Sequence, residues 1–317
     1  MSDRLERRVG RRARQVRWWS VLGCVLAVAC RHASPEVAVP RPTPTVAPDG
    51  VYLVIRSDDG GMSHAVNMAI KRLLETGLPV SVSVMFPCPW YQEIVEILRE
   101  HQEASVGVHL TLNSEWRHYR WGPVAGREAV PSLVDEDGYF FPSSDDLYRN
   151  DPDRGQVERE LRAQIDRALA TGLRIDYLDY HMGTANGDPD IRAIVERLGS
   201  AYHLGLMGYH GDDRFNPQYD AEPAAKLDSL LAAVGRLEPG YHVLVTHLGI
   251  DTPELAALVD MNTAQPLENM SRHRQGELDA VTAPAFREAV ASRGVTLITY
   301  RELLGMVRST APPSPPW

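Results

Sequence analysis

The sequence predicts an α/β fold, specifically a distorted (β/α) barrel with about seven parallel strands. Short apolar runs rich in β-branched residues alternate with helical segments along the chain, as in a parallel sheet flanked by helices. Seven alternations favour a barrel over a flat doubly wound sheet, and no glycine-rich phosphate loop follows the first run. The predicted strands are residues 51–55, 80–85, 105–112, 174–180, 204–209, 241–246 and 295–299.

Helices are predicted between these strands, and several of them begin with Ser, Asp or Pro, the residues that commonly start helices. The predicted helices are residues 63–76, 91–101, 153–171, 189–200, 222–237 and 284–293. The stretch 115–150 is rich in Gly, Pro and aromatic residues. We expect it to be an insertion that covers one end of the barrel.

The first 29 residues have the pattern of an export signal. Seven arginines precede an apolar stretch from Trp18 to Ala29 that is too short to cross a bilayer. The sequence Leu26-Ala-Val-Ala-Cys30 resembles the cleavage site of bacterial lipoproteins, in which the cysteine is acylated. Cleavage by an ordinary signal peptidase after Ala27-Val-Ala29 is the alternative.

The composition of the rest of the chain predicts three further segments. Residues 30–50 contain five prolines and no periodic apolar pattern, which is typical of an extended tether. Residues 51–309 are long enough for one large α/β domain. The Pro-rich residues 310–317 are expected to be a disordered tail.

Charge and cysteine content restrict the partners. The formal net charge is −9, and residues 1–29 contribute +5 (seven Arg against Asp3 and Glu6), so the remainder carries −14. Such a surface is not expected to bind nucleic acid. If signal cleavage removes Cys24 and Cys30 is acylated, Cys88 is the one cysteine left with a free thiol. Neither an internal disulfide nor a cysteine-rich zinc site is then expected.

An acidic pair, Asp58 and Asp59, stands between the apolar run Val51-Tyr-Leu-Val-Ile55 and a Gly60-Gly61 turn. Adjacent strand residues point to opposite faces, so both carboxylates can serve one site only where the strand breaks, and the glycines allow that break. One carboxylate could then bind a metal ion while the other acts as a base. A solvated Asp-Asp-Gly turn is the alternative.

Titratable residues also occur where other predicted strands end: His109 on the third, Asp179 and His181 on the fourth, and His247 on the sixth. In a parallel barrel these ends lie on one face, where catalysis is expected. Each residue alone is equally compatible with a buried structural role. Together they indicate a one-metal hydrolase, because a carboxylate and two imidazoles suit Zn²⁺, or Mg²⁺ or Mn²⁺ with more water retained.

Several segments resemble the motifs of the YdjC-like carbohydrate deacetylases, which are related to the polysaccharide deacetylase superfamily. The segment Val54-Ile-Arg-Ser-Asp-Asp-Gly-Gly61 resembles "NADDFG", and the resemblance extends in order from about Val51 to Leu304. The other matching segments are Val106-Gly-Val-His-Leu-Thr-Leu112 ("GxHLxL"), Leu178-Asp-Tyr-His181 ("LDSHxH"), Val245-Thr-His-Leu-Gly249 ("xxHPG"), Arg274-Gln-Gly-Glu-Leu278 ("RxxEL") and Gly294-Val-Thr-Leu-Ile298 ("GIxLI").

The resemblance implies a role for each matching residue. Asp58 is expected to be the general base and His247 the acid that protonates the departing amine. The metal ligands are expected to be Asp59, His109 and His181. Two further positions, Arg274 and Asp179, are candidates for orienting roles: Arg274 for a carboxylate, unless it forms only a surface ion pair, and Asp179 for His181.

Among the positions that depart from the family motifs are Gly60 (Phe in the motif), Gly183 (His) and Leu248 (Pro). The two glycines are expected to enlarge the space near the metal. The insertion contains four aromatic residues that could stack on sugars or pack within the insertion itself: Trp116, Tyr119, Trp121 and Tyr139.

The sequence therefore predicts a metal-dependent hydrolase that removes N-acetyl groups from an amino sugar or oligosaccharide. It is expected to face the periplasm as a lipoprotein anchored through Cys30 lipid, or otherwise to be a soluble periplasmic or secreted protein. Two other functions are compatible with the fold. One is a non-catalytic glycan-binding lipoprotein, against which the retained acid and base residues argue. The other is a metal phosphodiesterase, which would be expected to have an additional carboxylate cluster or a basic clamp for phosphate near the strand ends.

Overall fold

The computed structural model describes residues 48–262 and 269–310. Its centre is a parallel sheet of eight strands in the order β5-β4-β3-β2-β1-β7-β6, with β8 paired to β1. The strands are β1 (Val51–Gly60), β2 (Val80–Val84), β3 (Ser105–Leu110), β4 (Tyr177–Tyr180), β5 (Gly205–Leu206), β6 (Asp212–Phe215), β7 (Gly240–Thr246) and β8 (Thr296–Ile298). The sheet curls into a half-barrel, so the predicted α/β class and distorted parallel barrel are confirmed.

Strand β1 is the centre of the sheet. Along one edge it pairs with β7, from Val51 opposite Gly240 to Ser57 opposite Thr246. Its first half also pairs with β8 and its second half with β2. Because β1 is covered by strands on both edges and is buried from residue 53 to 60, its carboxyl end is held firmly at the middle of the site face.

Helices lie between most of the strands, and three of the longer ones begin at side-chain caps. Ser63, Asp153 and Asp188 each accept a hydrogen bond from a backbone N–H of the first helical turn, which satisfies donors that the helix itself leaves free. The helices are α1 (His64–Leu74), α2 (Tyr91–Glu100), α3 (Ser144–Arg149), α4 (Arg154–Ala170), α5 (Thr184–Gly187), α6 (Pro189–Tyr202), α7 (Lys226–Val234), α8 (Pro253–Ala256), α9 (Met270–Thr282), α10 (Pro284–Ser292) and α11 (Tyr300–Thr310), with 3₁₀ turns at Pro131–Leu133, His181–Gly183 and Pro223–Ala225.

One strand was not anticipated. Strand β6 has the polar sequence Asp-Asp-Arg-Phe and lies at the edge of the sheet, with its residues exposed or half-buried. Strand prediction depends on burial of apolar side chains, so an edge strand with one apolar residue leaves no periodic pattern. The structure thus has eight strands where the sequence indicated about seven.

The two faces of β1 have different partners because side chains alternate along a strand. Leu53 and Ile55 belong to the large core between sheet and helices. Val54 belongs to a second cluster, with Tyr177 of β4 and Tyr300 of α11, that fills the barrel interior. The site develops on this interior face, where Arg56 and Asp58 follow Val54 at intervals of two.

A glycine on β3 makes room for the interior packing. A Cβ atom on Gly107 would lie 2.3 Å from the Tyr177 ring, so any larger residue would displace that ring. His109 follows two residues later on the same face of β3. The close contact between β3 and β4 therefore brings His109 beside Asp179, with which it is paired in register.

The insertion after β3 packs as part of the main core. Trp121, Leu133 and Phe140 are buried in the same apolar cluster as the barrel helices, and each such side chain stabilises the fold by about 1.5–3 kcal/mol. Glu160 of α4 accepts hydrogen bonds from the backbone N–H groups of Val124 and Ala125, at 2.9 and 2.8 Å. The insertion is therefore fixed against α4 by part-buried polar contacts as well as apolar ones.

The predicted signal segment 1–29, the tether up to residue 47 and the tail from residue 311 lie outside the described residues. Those assignments stay predictions. Within residues 48–262 and 269–310, no helix combines the length and apolar character needed to cross a membrane.

Candidate active site

The acidic pair sits where β1 ends in an irregular turn. The register with β2 shifts between Ser57 and Gly60, and Asp59 has a left-handed backbone conformation with φ of 63°, which Asp tolerates better than most residues. Gly61 follows with φ of 88°, and a Cβ there would lie 2.8 Å from Tyr91 Cα. The expected strand break therefore exists, and it begins at Asp59 itself rather than at the glycines.

A carboxylate and two imidazoles converge at this turn. Asp59 Oδ1 lies 3.6 Å from His109 Nε2 and 3.3 Å from His181 Nδ1. All three side chains are buried, and together they form a group that could hold a metal ion. Asp59 Oδ1 has no hydrogen-bond partner within the described residues. A buried carboxylate oxygen that faces two imidazole nitrogens without a hydrogen bond fits a divalent cation, because one carboxylate and two imidazoles form a ligand set that such a cation binds.

Each histidine of this group is oriented by a second carboxylate. His109 Nδ1 lies 3.0 Å from Asp179 Oδ1, and His181 Nε2 lies 3.0 Å from Glu115 Oε2. Such partners fix the ring and the tautomer of a metal-binding histidine. The expectation that Asp179 orients His181 is therefore wrong, since Asp179 orients His109 and Glu115 takes the role beside His181.

The electrostatics keep Asp59 ionised. Burial by itself disfavours the charge, but the Arg274 guanidinium and His181 hold the pKa of Asp59 well below its usual range. Burial also opposes the charge on His181, yet Glu115 and Asp59 raise its pKa to about 10. Against the same opposing burial, Asp179 and Asp58 raise the pKa of His109. Without a cation the two imidazoles thus tend to carry the positive charge that the carboxylates require.

Arg274 of α9 is buried, with 6 % of its surface exposed, and its Nη2 donates to Asp59 Oδ2 at 2.7 Å. The alternative of a surface ion pair is therefore wrong. The contact leaves Oδ1, rather than Oδ2, directed at the imidazoles. Arg274 thus orients the carboxylate that we expected to bind metal.

Asp58 is held by a residue that sequence reasoning missed. Arg56 donates through Nε and Nη2 to the two oxygens of Asp58, each at 2.6 Å, and its Nη1 lies 3.2 Å from Asp179 Oδ2. One guanidinium therefore connects Asp58 to the carboxylate that orients His109. The available sequence indication was an arginine within an apolar strand, two positions before Asp58 and so on the same face.

His247 lies at the end of β7, beside Asp58 and at the boundary with solvent. Its Nε2 is 4.0 Å from Asp58 Oδ2, and its side chain is 23 % exposed. Its backbone N–H donates to Glu277 Oε2 at 2.8 Å, which fixes the position of the residue. Glu277 lies one helical turn after Arg274 on α9, so the two side chains share a face of the helix. This spacing was the available sequence signal that Glu277 could also belong to the site.

Two cavities meet at this cluster. A cavity of about 340 Å³ is lined by Asp59, His181 and Trp116, and one of about 560 Å³ is lined by Asp58, His109 and Gly183. His247 and Met182 contribute to both. The reactive groups are therefore accessible from two adjoining spaces, large enough together for more than the acetamido group.

The aromatic residues of the insertion have different positions. Trp116 lines the smaller cavity. Trp121 is buried and packs edge-on against His181, with ring centroids 6.1 Å apart, and Tyr119 donates its hydroxyl proton to the Met62 carbonyl. Tyr139 is 40 % exposed but is not among the residues that line either cavity. Only Trp116 of the four remains a candidate for contact with a bound sugar.

The two glycine departures differ in their effect. A Cβ on Gly183 would meet no atom within 4 Å, and Gly183 lines the larger cavity, so the expected extra space exists there. A Cβ on Gly60 would lie 3.2 Å from Val82 Cγ1 and 3.3 Å from the Ser83 carbonyl oxygen. The expectation that Gly60 enlarges the site is therefore wrong, because that direction points into packed core.

The fold and the site define a barrel enzyme whose reactive residues lie at the carboxyl ends of its central strands. The family model for YdjC-like proteins matches residues 52–292, and the chain therefore belongs to the YdjC-like protein family. This agrees with the resemblance deduced from the motifs.

Curated relatives cover most of the chain. A carbohydrate deacetylase from Geobacillus stearothermophilus is 28% identical over 261 residues, which is 79% of this chain and 97% of the relative. A carbohydrate deacetylase from Thermus thermophilus is 32% identical over 263 residues, covering 75% and 89%.

A solved structure from Enterococcus faecalis V583, described as a candidate cellobiose-phosphate cleavage protein, shares 25% identity with a TM-score of 0.67. The match covers 80% of this chain and 99% of that one.

Proposed function

We propose that this protein is a metal-dependent hydrolase that removes N-acetyl groups from an amino sugar or oligosaccharide outside the cytoplasm. The observation that carries the proposal is the position of Asp59 Oδ1 between His109 and His181 without a hydrogen-bond partner among the described residues. Two further groups suited to proton transfer lie beside it. The names of the curated relatives support an acetylated carbohydrate as the substrate.

Asp59, His109 and His181 would hold the cation. When bound, it would supply a Lewis acid that polarises the amide carbonyl and acidifies water. Zn²⁺ suits the two imidazoles, and Mg²⁺ or Mn²⁺ the carboxylate. Asp179, Glu115 and Arg274 hold these three side chains in place before any cation arrives.

Asp58 is placed to accept the proton of the attacking water. Arg56 occupies one lone-pair site on each of its oxygens, and a carboxylate has about four such sites. Oδ2 therefore retains a site for a proton, and it faces both His109 and His247 at 4.0 Å. The water oxygen then bonds to the carbonyl carbon while Asp58 holds the proton.

His247 is placed to complete the hydrolysis. It borders both cavities and is partly open to solvent, so a leaving amine can approach its Nε2. As the C–N bond breaks, the nitrogen keeps the bonding electron pair and takes a proton from His247. The products are acetate and a free amino group on the sugar, and the proton on Asp58 returns to solvent or to His247.

Location outside the cytoplasm is the second part of the proposal. The arginine-rich start, the short apolar stretch and Cys30 after small residues support export and lipid attachment. A substrate outside the cytoplasm would then be a peptidoglycan fragment, a chitin-type oligosaccharide or another surface glycan.

The test is a screen of acetylated amino sugars for released acetate with Zn²⁺, Mg²⁺ or Mn²⁺, combined with calorimetric measurement of cation binding. We expect Asp58→Asn to lower kcat by about 10²–10⁴-fold while cation affinity is kept. His109→Ala and His181→Ala should lose both the cation and the activity.

Two outcomes would contradict the proposal. Acetate release by Asp58→Asn at the parent rate would eliminate Asp58 as the base. Binding of an acetylated sugar without acetate release under any of the three cations would favour a glycan-binding protein instead. Arg272→Ala is the control, because Arg272 lies on α9 near Arg274 but is exposed and forms only a weak surface pair with Asp251, at 3.8 Å.

A further inference from the structure

The loop after β6 forms a wall of the site. Tyr219 lies in this loop, is 43 % exposed and lines the smaller cavity. Its ring packs edge-on against His247, with centroids 5.5 Å apart and an interplanar angle of 68°. Asn216 of the same loop lies 3.4 Å from His247 Nδ1 through its amide nitrogen. The loop therefore packs directly against His247 through both Tyr219 and Asn216.

A buried lysine holds this loop in place. Lys226 at the start of α7 has no exposed surface, and its Nζ donates to the carbonyl oxygens of Gln218 and Tyr219, at 2.6 and 3.4 Å. The same Nζ lies 3.7 Å from Glu277 Oε1, while Glu277 Oε2 accepts from the His247 N–H. Burial lowers the pKa of Lys226, so its desolvation is a cost that these contacts offset.

The consequence is a preorganised position for the Tyr219 ring. Lys226 holds the backbone at Gln218 and Tyr219, and Glu277, with which Lys226 is paired, holds the backbone of His247. Binding of a ligand against the ring therefore costs little ordering of the loop. The ring is nonetheless half open, unlike the buried Trp116 across the same cavity.

The exposed apolar surface at the cavity mouth indicates a ligand with apolar faces. Met182, 47 % exposed, lines the same cavity, so two of the large exposed hydrophobic side chains of the described residues border it. Exposed apolar patches rimmed by polar groups mark binding grooves. Charged side chains of both signs line the rest, among them Glu115, Asp260 and Arg274. The cavity therefore offers acceptors as well as donors to the hydroxyl groups of a sugar.

We infer that Tyr219 is the residue against which the sugar ring bearing the scissile acetamido group packs. This assignment rests on the proposed function and concerns a residue outside the sequence motifs. An aromatic ring presents a flat apolar face and a polar tip, which matches the C–H face and hydroxyl edge of a pyranose. Tyr219 would thereby place the acetamido nitrogen beside His247.

The experiment compares Tyr219→Ala, Tyr219→Leu and Tyr219→Phe with the parent, using the acetylated sugar that gives the most acetate. Loss of an aromatic contact worth about 0.5–1.5 kcal/mol corresponds to a rise in KM of about two- to twelvefold. We expect that rise for the Ala variant, a smaller one for Leu and none for Phe, with kcat little changed in all three.

Tyr139→Ala is the matched control. Tyr139 is 40 % exposed, close to the exposure of Tyr219, and lies under the Arg120 guanidinium at 5.3 Å. Because it does not line either cavity, its replacement should leave KM at the parent value. Thermal unfolding of each variant checks that its fold is kept.

Binding of tri-N-acetylchitotriose to the Asp58→Asn protein, measured by calorimetry with and without Tyr219→Ala, separates the two proposals. If the parent releases no acetate from any sugar but binding depends on Tyr219, the proposed reaction fails and the sugar platform stands. If acetate is released while KM and affinity of Tyr219→Ala equal those of the parent, the platform is overturned. A fall in kcat alone overturns it too, because the ring would then act only on His247.

Discussion

Arg56 is the residue whose role is least expected from the chain itself. It stands where the family motif "NADDFG" has asparagine, and it binds both oxygens of Asp58 while its third nitrogen approaches Asp179. It is 4 % exposed, and it also donates to Met207 Sδ in the barrel interior. A cation between two buried carboxylates stabilises both charges, and the planar fork fixes the direction of Asp58.

The first prediction concerns this guanidinium. Arg56→Ala leaves two buried carboxylates without their cation, so the free energy of unfolding should fall by about 3–5 kcal/mol. Loss of the Asp58 and His109 orientation should lower kcat by about 10–100-fold. Arg56→Lys should restore stability in part but not kcat, because an ammonium cannot bind both Asp58 oxygens in the same fork.

Denaturant unfolding and initial rates measure these effects. Arg174→Ala is the control: Arg174 also pairs with an aspartate two residues later on its chain, at 2.9 Å, but its side chain is 71% exposed. Its removal should change stability by no more than about 0.5 kcal/mol. Equal kcat in Arg56→Lys and the parent would show that a positive charge is sufficient to position Asp58, without the two hydrogen bonds from the guanidinium.

At the scale of elements, α4 supports the site from behind. Gln164 accepts from the Thr111 N–H and donates to the Thr111 carbonyl, at 3.0 and 2.7 Å, and so fixes the chain just beyond β3. Glu160, one turn earlier, fixes the insertion that supplies Glu115 and Trp116. The helix therefore secures both the His109 strand and the partner of His181.

The second prediction concerns Glu160. Glu160→Ala would leave the half-buried N–H groups of Val124 and Ala125 without their acceptors, which should lower the free energy of unfolding by about 2–4 kcal/mol. Glu158→Ala is the control, because Glu158 pairs only with Arg162 and Arg197, both on the surface and each at 3.0 Å. That change should cost about 0–1 kcal/mol.

Glu160 also predicts a pH dependence. Burial raises the pKa of its carboxyl above 4.5, so between 4.5 and the raised value the folded protein binds more protons than the unfolded chain. Stability from this group is therefore present at low pH and is lost as the pH rises through that window. Glu160→Gln should flatten this part of the stability profile in urea titrations at successive pH values, and an unchanged slope would contradict the assignment.

At the scale of the whole molecule, the proposed location depends on Cys30. If Cys30 is acylated, Cys30→Ser should move the protein from the membrane fraction to the soluble periplasmic fraction. Cys24→Ser is the matched control, because Cys24 lies within the apolar stretch that the proposed cleavage would remove. Fractionation followed by detection of the protein measures both. Membrane association of Cys30→Ser equal to that of the parent would disprove the lipid anchor.

Charge at this scale agrees with a carbohydrate partner. The chain after residue 29 carries −14, and two of the arginines at the site, Arg56 and Arg274, are each held by a carboxylate. Arg56 is occupied by these contacts, whereas Nε and Nη1 of Arg274 have no hydrogen-bond partner among the described residues. The acidic balance is the opposite of what a nucleic-acid-binding surface requires.

The sequence by itself determined the barrel class, most strands and the convergence of Asp58, Asp59, His109, His181 and His247. It could do so because apolar periodicity marks strands, and the carboxyl ends of parallel strands meet on one face whatever the details of packing. The polar edge strand β6 was not predicted, because its sequence has no apolar periodicity.

The tertiary structure alone decided which side chain orients each histidine and each carboxylate of the site. His181 and Glu115 are 66 positions apart, and Arg274 and Asp59 are 215 apart, so no local pattern connects them. Their contacts depend on how the insertion and α9 pack over the strand ends. Three features follow from that packing: the contact of Arg56 with Asp58, the pairing of Asp179 with His109 rather than His181, and the position of Tyr219 in the cavity wall.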